Sequence, residues 1–225
     1  ALVAAAPERF LVAGMGDAMA TWYEARACLT NPNGVNGVGT RPTIASYAMG
    51  EACAHTLFEE GVRASAAVRG QMVDESLEKI VEANTLLSGL GFESGGIALA
   101  HGIAKSCTAL SHVREHYLHG EMVAIGTLVQ LALESRLEEV QKVARFFVSV
   151  GLPANLAQLS LDVADASDMN TLIEGTMDWP HTLNMPFVVD AGMIRDALVE
   201  FDKIGTSVIG EFGDDTYRRL HLDSP

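Results

Sequence analysis

Alternating runs of β-branched residues, the mark of strands, are scarce in this chain, while apolar residues recur at helical spacing along most of it. In residues 43–60, Ile44, Tyr47, Ala48, Ala52, His55, Thr56 and Phe58 fall largely on one side of a helix. Residues 18–30 read as an alanine-rich helix that ends at Asn31-Pro32-Asn33-Gly34. With three glycines, three asparagines and two prolines, residues 31–42 read as a loop. A short alanine-rich segment follows at 64–71. Asp74-Glu75-Ser76-Leu77-Glu78 opens a further helix, with acids where the helix dipole favours them. That helix is expected to reach Ser88, after which Gly89, Gly91, Gly95 and Gly96 break the chain before the helix carrying His101. Residues 111–118 read as polar and irregular. More helices are expected at 120–138, at 139–150 with a stop at Gly151-Leu152-Pro153, at 164–177 and at 191–204. Leu2-Val3 and Ser207-Val208-Ile209 read as remnants of edge strands. The expected architecture is an all-α bundle of roughly eight helices.

Composition narrows the function. The chain has 225 residues, 48% of them hydrophobic, enough for a sizeable core. A net charge of −14 argues against nucleic acid or an anionic membrane as partner, because both are polyanions. It also leans against a phosphorylated substrate. Cys28, Cys53 and Cys107 are odd in number and show no Cys-x-x-Cys spacing, as expected of reduced, buried thiols in a reducing, cytoplasmic setting. No apolar run reaches the roughly 18 uncharged residues of a membrane span. The first seven residues are apolar but too short, and lack the basic residues, for a signal peptide. Without an initial methionine, a processed or truncated chain is expected.

Three residues stand out chemically. Asp17 follows Gly14-Met15-Gly16, His101 sits in Ile97-Ala98-Leu99-Ala100-His101-Gly102, and His119 precedes Gly120-Glu121. One carboxylate and two imidazoles form a recurrent ligand set for a divalent metal with an open coordination position. Each has a blander reading. Asp17 at an apparent helix start fits an N-cap. His101 on an apolar helix fits a hydrogen-bonded core residue, and His119 fits an exposed loop histidine. Glu121 is a candidate acceptor for a ligand imidazole N–H. Cys107 as a ligand, a helical metal stripe of His112, His116 and His119, and an anion site at the Gly95-Gly96 N–H groups are weaker candidates. No Walker loop, Gly-x-Ser-x-Gly or Gly-x-Gly-x-x-Gly occurs.

These phrases occur in order with Glu82-Ala83-Asn84-Thr85, Leu87-Ser88-Gly89-Leu90-Gly91-Phe92-Glu93-Ser94-Gly95-Gly96, Gly126-Thr127-Leu128-Val129-Gln130-Leu131, Val150-Gly151-Leu152-Pro153 and Asn184-Met185-Pro186. Together they resemble the glycerol dehydrogenases of the iron-containing alcohol dehydrogenase superfamily, over about residues 9–212. The resemblance is to that family's helical, metal-binding C-terminal domain, and it assigns all of residues 1–225 to such a domain. The family's nucleotide-binding domain has no counterpart in the sequence, and a start at the domain junction fits truncation.

The resemblance implies that Asp17, His101 and His119 are both catalytic and metal-binding, with zinc ahead of iron. It implies NAD as cofactor, held mainly by the domain that is missing, glycerol oxidised to dihydroxyacetone, and a homo-oligomer. Phe92 matches an aromatic near the substrate. One departure is Ala104, where relatives carry a second histidine three residues after the first; this puts turnover and substrate choice in question. His181 lies near, but not at, another family histidine and receives no role. Two other readings remain open: a metal-binding or assembly remnant without chemistry, and a phosphate-dependent relative of the dehydroquinate synthase or glycerol-phosphate dehydrogenase kind.

Overall fold

A computed structural model describes residues 1–221, and every regular element among them is helical. The helices are α1 (Glu8–Thr30), α2 (Ile44–Arg69), α3 (Glu75–Glu82), α4 (Ser88–Gly95), α5 (Leu99–Cys107), α6 (Ser111–Arg114), α7 (His119–Leu133), α8 (Leu137–Val150), α9 (Ala166–Met177), α10 (Ala191–Phe212) and α11 (Asp215–His221). Short 3-10 turns lie at Val3–Ala5, Ala157–Leu159 and Pro180–Asn184. The all-α expectation holds. The number exceeds eight because α6 and α11 are short additions and because α3 and α4 are joined by a π-helical turn at Ala83–Leu87.

Helix α7 organises the rest. Residues Gly120 to Leu133 are all buried, so this helix is enclosed on every side, against α1, α5, α8 and α10. A helix apolar all round has no stable place at a surface. Ile125, Leu128 and Leu131 are fully covered, and each such side chain contributes roughly 1.5–3 kcal/mol on burial. Phe147 from α8, Phe201 from α10, Met15 and Met19 from α1 and Ile103 from α5 complete the centre.

Several boundaries differ from the sequence reading. Helix α1 runs unbroken through Gly14-Met15-Gly16-Asp17, so Asp17 lies mid-helix and is no N-cap. Helix α2 begins at its Thr43–Ser46 capping box and absorbs the alanine-rich segment. The helix opened by the Asp74 cap continues past Gly89 and Gly91 and stops at Gly96, whose φ of 88° suits glycine. Ser207-Val208-Ile209 belongs to α10 and Val3 to a 3-10 turn, so neither is a strand remnant. No helix among the described residues is long and apolar enough to cross a membrane.

Candidate metal centre

Two close backbone contacts set the site. At the crossing of α1 and α7, a Cβ on Gly120 would lie 1.8 Å from the Ala13 carbonyl oxygen, and one on Gly16 would lie 2.4 Å from that of Gly120. At the crossing of α5 and α7, a Cβ on Gly126 would lie 2.1 Å from the Ala100 oxygen. Any larger residue would push these helices apart. The first contact brings Asp17 to His119, and the second seats the turn before His101.

The three sequence candidates converge. Asp17 Oδ1 lies 3.4 Å from His101 Nε2 and 3.6 Å from His119 Nε2. All three donor atoms fall within 4.8 Å of one another. Asp17 Oδ1 is sealed from solvent yet has no well-formed hydrogen bond. Its nearest polar neighbours are the two imidazoles, at ion-pair range. For metal–ligand bonds of about 2.1 Å, tetrahedral donors stand about 3.4 Å apart. The residues present therefore fit a divalent ion, which Asp17, His101 and His119 could hold.

Glu24 supplies the brace. Helical spacing places it two turns beyond Asp17, on the same face of α1. It is fully buried. Its Oε1 accepts from the backbone N–H of Ala98 at 2.8 Å and of His101 at 3.0 Å, while Oε2 lies 2.5 Å from His101 Nδ1. One carboxylate thus caps the start of α5 and turns His101 Nε2 toward Asp17. Burial opposes charge on His101, but Glu24 and Asp17 outweigh it and push the imidazole up to about 10. Burial also raises Asp17, yet the two imidazoles win and hold it below the ordinary carboxylate value.

A cleft of about 280 Å³ adjoins the three residues, with Thr21, Asn84, Ser88, Gly89 and Phe92 also lining it. Phe92 lies in this cleft, its ring 5.3 Å from that of His101. Asn84 comes from the π-helical turn, a feature that often marks functional positions and that periodicity did not announce. A larger cleft of about 540 Å³, beside Trp179, Leu183 and Val188, is lined by no acid, base or thiol.

Other candidates do not join. Glu121 pairs with Arg9 and His221, not with a ligand histidine; the imidazole acceptor is Glu24. The Gly96 N–H bonds to Phe92 and the N–H groups that open α5 are taken by Glu24 and Gln130, which leaves no anion site there. His112 faces Asp168 at 3.2 Å, and His116 bonds back to the His112 carbonyl. Cys107 is fully buried, its thiol pushed up to about 12 by burial. Ala104 is also fully buried and lies outside the lining of the cleft.

No protein-family model matches the chain. It is 45% identical to a glycerol dehydrogenase of Thermotoga maritima, over 91% of this chain and 56% of the relative. It is 42% identical to a glycolaldehyde reductase of Halobacterium salinarum, over 92% and 57%. The crystal structure of glycerol dehydrogenase from Schizosaccharomyces pombe superposes with a TM-score of 0.86 at 34% identity, over 93% of this chain and 54% of that one. The chain matches the helical C-terminal domain of the glycerol dehydrogenases. It spans little more than half the length of these relatives.

Proposed function

We propose that this chain is the metal-binding catalytic domain of an NAD-dependent polyol dehydrogenase acting on glycerol. The observation that carries the proposal is the convergence of Asp17 Oδ1 with two imidazole nitrogens, at 3.4 and 3.6 Å, beside a small cleft. A divalent ion held by Asp17, His101 and His119, with zinc ahead of iron, would supply Lewis acidity to a substrate hydroxyl. The chain's own residues orient and enclose. Glu24 fixes the His101 ring, Phe92 forms an apolar wall, and Thr21, Asn84 and Ser88 give the cleft the polar groups a polyol needs. Oxidation would pass a hydride from the alcohol carbon to the nicotinamide and release the hydroxyl proton, giving dihydroxyacetone from glycerol.

The cleft is lined by no arginine or lysine, so a phosphorylated substrate would find no basic side chain there beyond the two histidines of the site. The name of the Halobacterium relative supports a second reading, reduction of a small hydroxyaldehyde, which is the same chemistry run backward. Self-association belongs to the proposal as well, since Leu183 and Val188 stand strongly exposed; light scattering would check it. The test is elemental analysis of chelator-free protein, followed by NAD-linked assays after mixing with a relative's nucleotide-binding domain. About one zinc or iron per chain, lost in His101→Ala, and turnover of glycerol support the proposal. Undiminished metal in His101→Ala and His119→Ala would overturn the ligand assignment.

A further inference from the structure

The His119 ring reaches the site from an exposed position. What locates it is the backbone of residues 118–120. The Leu118 N–H donates to Glu121 Oε2 at 2.8 Å, closing the first turn of α7 from the side chain of its third residue. Glu121 is almost wholly buried and has three further bonds. Arg9 Nε donates to Oε1 at 2.6 Å and Arg9 Nη2 to Oε2 at 2.7 Å, while His221 Nε2 lies 2.9 Å from Oε1. Arg9 also donates to the His116 carbonyl at 2.9 Å, so it grips the segment before α7 as well as the first turn. The His221 ring in turn stacks on Tyr217, with centroids 4.0 Å apart.

We infer that Arg9 and His221 are positioning residues for the metal site, clamping Glu121 so that the turn bearing His119 keeps its place beside Asp17. The inference rests on the proposed metal-binding role of His119. A buried carboxylate deprived of a partner must move toward water or rotate, and either motion releases the Leu118 N–H. Helix α11, far along the chain from any ligand, thereby helps to set metal affinity.

The structure also supplies the control. Besides the tie of His221 to Glu121 on α7, helix α11 is held to α1 by Arg219 on Glu8, at 2.5 and 3.1 Å, and this pair does not touch Glu121. Loss of helix docking alone would follow from cutting either tie; loss of the clamp follows only from cutting the first.

The experiment measures zinc affinity of the full chain by chelator competition, at a temperature where each variant is folded by circular dichroism. Arg9→Met should weaken zinc binding about 10–100-fold, as is typical for partners behind metal ligands. His221→Phe, which keeps the stacking, should weaken it less. Arg219→Met should leave it at the wild-type value. Arg9→Lys keeps a charge without the fork, should fall between, and serves if Arg9→Met does not fold. The visible absorption of the cobalt-loaded Arg9→Met chain should weaken toward that of His119→Ala. Equal affinity in Arg9→Met and Arg219→Met, whether at the wild-type value or below it, would overturn the inference. A wild-type chain that takes up no zinc would overturn the underlying reading as well.

Discussion

The two histidines of the candidate site are held in opposite ways. His101 is fixed from inside: its side chain is 11% exposed, its Nδ1 meets Glu24, and its own N–H ends on the same carboxylate. His119 is fixed from behind: its side chain is 59% exposed, and only its backbone is anchored, by the contact of Gly120 with Ala13 and by Glu121. One candidate ligand thus has its orientation set in advance, while the other has only its position set. Disturbing the first should cost the fold as well as the ion; disturbing the second should cost the ion alone.

The largest effect is expected from Glu24→Ala. It strands the buried N–H groups of Ala98 and His101, at roughly 1–3 kcal/mol each, and frees the His101 ring. Urea unfolding should show a loss of several kcal/mol, with zinc affinity down about 10–100-fold. Next comes the direct contrast. His101→Ala should remove the metal and lower the melting temperature of the metal-free chain, whereas His119→Ala should remove the metal and leave that temperature nearly unchanged. Equal melting shifts in the two would break the comparison. Gly120→Ala tests the backbone anchor. Its Cβ has no room against the Ala13 oxygen, so a loss of about 1–3 kcal/mol is expected, together with weaker zinc binding.

A smaller effect is expected far from the site. Glu60 is held down to about 2 by Ser76, Arg63 and Lys79. A carboxylate lowered in the folded state lends stability above its ordinary value of 4.5, and that contribution is lost as pH falls from there toward 2. Glu60→Gln should flatten this acid limb in pH-dependent melts without altering zinc affinity at neutral pH. The least change belongs to His112→Ala and Cys107→Ser, which should keep full metal occupancy by elemental analysis.

The helical class was legible because apolar period and missing alternation agree along the chain. The start of α1 was not, because Gly14, Gly16 and Asp17 carry the local marks of a break while serving as a contact surface inside a helix. Only packing against α7 shows that use. Asp17, His101 and His119 were named from residue type and family likeness, and the structure brings them together. Glu24 was missed, although its spacing from Asp17 places it on the same helical face; its worth depends on α5 starting there, which no local pattern reveals. Glu121 looked like the second partner of a ligand because it stands near His119 in sequence. Its carboxylate instead turns back toward α1 and α11.

The meeting of Gly16 with Gly120 carries one more consequence. Main chain rests on main chain there, with no compressible side chain between the helices that present Asp17 and His119. Such a spacer has nearly one length. An ion of calcium's kind gathers six to eight oxygens, and here it would find two imidazole nitrogens instead. Imidazole nitrogen suits zinc and iron better. The pair of glycines thus fixes the separation of the two backbones, and only side-chain rotation is left to adjust the donors to an ion.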